Sequence, residues 1–254
     1  MAFRPWGLVG WVISRCPNVD WGFFGCVGTE MRSLEAWKAL TASGRVRKTR
    51  MLRILDNPTG YTGRPMYEAE TRDRLQRREA EFVAAGGSQS FIVEHSLLEA
   101  HAEIISSIDG FIREAGPNII LDITSLPKRF FFPILRRLIL ADRAAVSNLL
   151  LAYAIPGSYA SGPLSLNHTD WAHLPLFPGD YSLEPPKHII VGVGFESLGL
   201  PEHLEHASGL PVKLLLPFPA PPSSLQRSWD LVMKLQNYRA PDSMAVYRTN
   251  PRDI

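Results

Sequence analysis

Cysteine is nearly missing from this sequence: its 254 residues include two, Cys16 and Cys26. No His or Cys set stands near them at metal-ligand spacing, which argues against a structural zinc site, and two thiols are too few for a disulfide framework. Both are expected to be reduced, with at least one buried. Long apolar runs are missing as well. The most apolar helical stretch, Phe130 to Leu140, is interrupted by Arg136-Arg137 and is too short to span a bilayer. The N-terminal stretch Leu8 to Ile13 is too short for a signal core and has no small-residue cleavage pattern. The expectation is a cytoplasmic, non-membrane protein.

Charge of one sign is also scarce, since 27 Lys and Arg against 25 Asp and Glu leave a net +2. That is too little to imply nucleic-acid binding without a local patch. One basic stretch exists, with Arg45, Arg47, Lys48, Arg50 and Arg53 close together. Arg53 enters a strand pattern and the rest suits a solvated loop, so nucleic acid is not the expected partner. Complete catalytic motifs are missing too. Gly86-Gly87-Ser88 ends a helix without the surroundings of a phosphate loop, and no G-x-S-x-G elbow occurs. His203 and His206 stand three apart but lack the HExxH form, so no metal is expected there.

What remains is ordinary globular composition, 45% hydrophobic and 20% charged. Apolar runs that read as strands occur at Leu8–Ser14, Met51–Leu55, Phe91–Glu94, Asn118–Ile123, Asn148–Ala154, His188–Val193, Val212–Leu216 and Met244–Arg248. Helical patterns lie at Arg32–Ser43, Glu68–Ala85, Ser96–Glu114, Leu126–Arg143 and Leu225–Asn237. Continuous apolar strands belong in sheets covered on both faces, and strand–helix alternation implies parallel pairing. The expected fold is a doubly wound, mostly parallel Rossmann-like α/β sheet with helices on both faces, one domain over residues 1–254. Residues 155–187 break every period with Pro and Gly and are expected to form a long irregular insertion. Met244–Arg248 reads as a strand with no helix after it, an edge strand or the end of a fragment of a longer architecture.

Ligands of open parallel sheets bind outside the carboxyl ends of the strands. The strongest candidate there is Asp122-Ile123-Thr124-Ser125-Leu126-Pro127-Lys128-Arg129. It follows the apolar strand Ile119-Ile120-Leu121 and opens a helix. Thr124 or Ser125 suits the N-cap, and Pro127 suits the first turn. Free N–H groups, the helix dipole, Lys128 and Arg129 together suit an anion such as phosphate. The same residue types also serve any well-capped helix. Asp56 with Tyr61, in Asp56-Asn57-Pro58-Thr59-Gly60-Tyr61, suits an acid–base group or a pocket wall, or simply a turn cap. Glu196, in Gly194-Phe195-Glu196-Ser197, suits a ribose hydroxyl, and Ser223 lies after the strand that ends at Leu216, as a ligand contact or helix cap. Asp56, Asp122 and Glu196 are the candidate catalytic carboxylates, and an enzyme built on them would use magnesium.

The segment Ile120-Leu121-Asp122-Ile123-Thr124-Ser125-Leu126-Pro127-Lys128 resembles the strand-and-turn signature of CRISPR-associated Rossmann-fold (CARF) domains. Those domains carry an apolar strand, a polar residue and a Thr-Gly-Gly-Thr-Lys-like turn opening a helix. Thr124 and Lys128 match that turn, Ser125 stands where its first glycine would be, and Leu126-Pro127 replaces the following Gly-Thr. The resemblance implies a homodimeric sensor of cyclic oligonucleotides in prokaryotic antiphage defence. Thr124, Ser125 and Lys128 would then hold phosphate, Glu196 sugar or base, and Asp56 and Tyr61 the pocket walls. Two alternatives stand beside it: a nucleotide-processing hydrolase or glycosidase using the rim carboxylates, and an interaction module of a larger defence complex.

Overall fold

The segment Trp21-Gly22-Phe23-Phe24-Gly25-Cys26 is the central strand, although the sequence reading passes over it because glycine ordinarily weakens strands. Here neighbours fill the space that side chains would need. A Cβ on Gly22 would lie 2.4 Å from the Ala115 Cβ, and one on Gly25 would lie 2.8 Å from the Phe23 ring. The strand is buried along its whole length.

The computed structural model describes residues 7–55, 64–157, 174, 176–177, 188–192, 210–217, 226, 229–230, 233 and 244–249. Its elements are α1 (Val9–Ser14), β1 (Trp21–Cys26), α2 (Glu35–Thr41), β2 (Val46–Leu55), α3 (Arg64–Ala84), β3 (Ile92–Ser96), α4 (His101–Ala115), β4 (Asn118–Asp122), α5 (Lys128–Ile139), β5 (Asn148–Ala152), β6 (Ile189–Gly192), β7 (Val212–Pro217) and β8 (Met244–Thr249). Short 3₁₀ turns at Met31–Leu34 and Gln89–Phe91 precede α2 and β3.

Strands β1 to β5 form one sheet in the order β3-β2-β1-β4-β5, every pair parallel. Among the described residues β6, β7 and β8 pair in parallel with one another as a second sheet. The break falls at the Pro- and Gly-rich stretch between β5 and β6. The chain divides accordingly into two compact units, one holding β1 to β5 and the other β6 to β8.

The five-stranded sheet is covered on both faces, and strand alternation shows how. Phe24, Leu52, Ile119 and Leu121 face one way, against Ile104, Ile108 and Phe111 of α4 and Phe130, Ile134 and Leu138 of α5. Phe23, Met51 and Ile120 face the other, against Ile13, Trp37, Leu40 and Phe82 of α1, α2 and α3. Phe24 meets Phe111 edge-on at 5.2 Å, and Trp37 meets Phe82 at 4.5 Å, contacts that each add about 0.5–1.5 kcal/mol beyond area burial. The first unit is thus a doubly wound, parallel, Rossmann-like α/β fold.

Several boundaries differ from the sequence reading. Leu8–Ser14, expected as a strand, is helix α1, which buries Val12 and Ile13 and leaves Leu8 and Trp11 exposed. Six apolar residues do not distinguish the two periods. The basic stretch at Arg45–Arg53 is mostly strand β2. Arg47 pairs with Asp20, Arg50 with Glu114 and Arg53 with Glu79, so those charges are answered locally. Helix α4 starts at His101, not Ser96. Ser96 still ends β3 and donates its N–H to Glu99 Oε2 at 3.0 Å, one half of a capping box formed ahead of the helix. Most of the pattern at Leu225–Asn237 and most of 155–187 lie outside the described residues.

Candidate functional site at the carboxyl rim

After β1 the chain crosses through α2 to β2, and after β4 it crosses through α5 to β5 on the opposite side. The carboxyl ends of β1 and β4 are therefore the point where connections diverge, which opens a crevice in folds of this class. Two loops meet there. The first runs from Val27 to Glu30 and into the 3₁₀ turn that carries Arg32, the second from Ile123 to Pro127. They touch at Gly28, where a Cβ would lie 2.5 Å from the Ser125 Cβ.

Asp122 closes β4 and is 1% exposed. Its Oδ1 accepts the Thr124 N–H at 3.0 Å and the Thr124 hydroxyl at 2.5 Å, the short-range pattern by which Asp fixes a turn. Thr124 Oγ1 in turn accepts the Ala154 N–H at 2.9 Å, tying the exits of β4 and β5 together. Burial pushes the Asp122 carboxyl up to about 6, against the lowering effect of the Thr124 hydrogen bonds and the Arg32 charge. Burial, together with the Asp122 charge, likewise pushes the Cys26 thiol up to about 12, so it is an inert core group.

Arg32 crosses this rim. Its Nε donates to Glu30 Oε2 at 2.5 Å and its Nη1 to the Ala154 carbonyl at 2.5 Å, while its guanidinium carbon lies 5.1 Å from the centre of the Tyr153 ring. Burial alone would lower its pKa. Hydrogen bonding to Glu30 and Tyr153 outweighs that and raises it, so the group is a permanent cation. One side chain thus links the loop after β1 to the exit of β5 and acts on the carboxylate that ends β4.

The first turn of α5 completes the rim. Pro127 occupies the N-cap position and no side chain caps the helix, so neither Thr124 nor Ser125 takes the expected capping role. Thr124 is held instead by Asp122 and Ala154. Lys128 is exposed. Arg129 donates to the Glu99 carbonyl at 3.1 Å, which turns it toward the start of α4. Ser125 Oγ and Arg129 Nε are buried without a hydrogen-bond partner. At the end of β3, His95 is buried with Nδ1 2.8 Å from Glu99 Oε2, and its ring stands edge-on to Phe130.

The structure therefore gathers Asp122, Thr124 and Ser125 with Gly28, Arg32 and Tyr153, and sets Lys128 and Arg129 on the helix turn that follows. Asp56, Tyr61, Glu196 and Ser223 lie outside the described residues. Arg32, Glu30 and Tyr153 are the groups the sequence reading missed. Reading Trp21–Cys26 as a strand would have exposed the first two, since both follow its end within the connecting loop. Among the described residues no three His, Cys, Asp or Glu side chains come together as a metal site, and no helix is long and apolar enough to cross a membrane. No protein-family model matches the chain, and no curated protein matches it.

Proposed function

We propose that this chain is a nucleotide-sensing domain of the CARF-like kind, binding a phosphate-bearing nucleotide at the crevice between β1 and β4. The observation that carries this reading is the set of donors at the switch point: Arg32 held across the rim by the Ala154 carbonyl and the Tyr153 ring, with the start of α5 that no side chain caps and exposed Lys128 following the Asp122 turn. Helix N–H groups, an arginine fork and a lysine are the donors a phosphate needs, and this part of a doubly wound sheet is where such ligands bind. Thr124 serves the site by shaping the turn, since its hydroxyl is already engaged on both sides. Tyr153, half exposed beside Arg32, offers a ring face to a base. Asp56, Tyr61, Glu196 and Ser223 remain the proposed further contacts. Prokaryotic antiphage defence and a homodimeric working form belong to the same proposal and rest on the turn resemblance.

The experiment is a thermal-shift and calorimetric screen with inorganic phosphate, mononucleotides, linear dinucleotides and cyclic oligonucleotides. A ligand present at a hundred times its dissociation constant adds about 2.7 kcal/mol of stability, a shift easily read. Arg32→Ala and Lys128→Ala are expected to weaken binding roughly ten- to a hundredfold each, the scale of a hydrogen bond to a charged group. A screen in which no nucleotide and no phosphate shifts the melting temperature overturns the reading. One observation favours a hydrolase instead: Asp122 holds its proton nearer neutrality than an ordinary carboxyl. Turnover of a nucleotide that disappears in a folded Asp122→Asn protein would decide for that alternative.

A further inference from the structure

Arg32 is a strong cation at the switch point that already holds a carboxylate. Glu30, two residues earlier, places Oε2 2.5 Å from Arg32 Nε. The two differ sharply in setting: the Arg32 side chain is 20% exposed and the Glu30 side chain 53%. Glu30 therefore reaches inward from solvent to a cation that the fold holds in place. Arg32 is fixed by the Ala154 carbonyl and the Tyr153 ring, contacts that do not depend on Glu30. A carboxylate and a phosphate oxygen bind a guanidinium edge in the same way. The position Glu30 occupies is thus one that an incoming phosphate would use.

We propose that Glu30 is a built-in counter-anion, which occupies Arg32 in the unliganded domain and is displaced when a phosphate binds. This rests on the phosphate-binding reading of the rim and adds the residue that sets its threshold. A tethered carboxylate competes at high effective concentration, so weak monoanions fail to dislodge it. A phosphomonoester, dianionic above its second pKa near 6, carries more charge and more acceptor oxygens and exchanges with it more readily than a diester does. The ligand class favoured is accordingly a nucleotide with a terminal phosphate.

The test uses the full chain with inorganic phosphate, AMP and a cyclic dinucleotide as probes, titrated by calorimetry into wild type, Glu30→Gln, Arg32→Ala and Glu35→Gln. Glu35 pairs with Lys38 on the exposed side of α2, so its loss removes a nearby negative charge without touching Arg32. Glu30→Gln is expected to bind phosphate and AMP about two- to fivefold tighter, the scale of a part-exposed ion pair, and to narrow the preference for AMP over the diester. Glu35→Gln is expected to change affinity less than twofold, and Arg32→Ala to weaken phosphate binding roughly ten- to a hundredfold. Wild type that binds while Glu30→Gln binds equally or more weakly overturns the counter-anion and leaves the rim site standing. An equal gain in Glu35→Gln also overturns it, by showing a general charge effect. Phosphate that binds no variant overturns the counter-anion together with the site beneath it. The Arg32 Nε–H resonance gives a second readout. It should move alike on Glu30→Gln substitution and on phosphate addition, and a resonance unmoved by both contradicts the exchange.

Discussion

Asp122 shows how one buried group links the site to stability. An unfolded chain gives up the Asp proton near 3.8, whereas the folded protein holds it to about 6. Between those values the native state binds more protons than the unfolded state, so stability falls as pH rises through this window and stays reduced above it. Asparagine keeps an oxygen to accept the Thr124 donors but carries no charge. Asp122→Asn is therefore expected to stabilise the fold at pH 7 by up to roughly 3 kcal/mol and to match wild type near pH 4. Urea unfolding from pH 4 to 7.5 measures this, and parallel curves for the two proteins would contradict it. Thr124 gives the complementary case. Thr124→Val keeps the shape but deprives the Ala154 N–H of its acceptor, at a cost of about 1–3 kcal/mol in the same assay. The sequence marked both residues for the rim, because Asp and Thr after an apolar strand suit a turn. The N-cap it offered to Thr124 or Ser125 is not made, and the Ala154 N–H that Thr124 accepts instead lies just past the end of β5, thirty residues away.

At the scale of elements, β1 is the instructive one. Its glycines look like interruptions along the chain, yet each removes a side chain where a packed neighbour stands. Gly22→Ala would drive a methyl into Ala115 on α4 and is expected to destabilise the protein by about 1–3 kcal/mol, the range for overpacking. Denaturant unfolding reads it directly. The smaller partner change Ala115→Gly should restore part of the loss if the clash is the cause. Helix α3 shows the opposite balance. Its Arg74–Glu70 and Arg77–Asp73 pairs are exposed i,i+4 contacts worth a few tenths of a kcal/mol, whereas Arg53–Glu79 is half-buried and joins α3 to β2. The charged face of α3 was legible from spacing alone. Its partner on β2 was not, because Arg53 and Glu79 lie 26 residues apart in sequence.

At the largest scale, the order β3-β2-β1-β4-β5 of the first unit puts β1 at the centre between β2 and β4, with both faces covered. Amide hydrogen exchange should accordingly be slowest in β1 and β4 and faster in the edge strands β3 and β5 and in the short helix α1. A rank order with β1 among the fast strands would contradict this packing. The sequence by itself determined the class of fold: apolar runs short enough for strands, alternating with amphipathic helical stretches, admit few arrangements other than a parallel sheet covered on both faces. It also determined the Asp122 turn as part of the rim, since that inference needs only a strand, its end and the helix that follows. The tertiary structure alone decided the rest. It set β1 beside β4, divided the strands between two sheets, and brought Arg32 and Glu30 from one loop to Tyr153 and Ala154 on another. Those are contacts between residues far apart in the chain, and local periodicity carries no information about them.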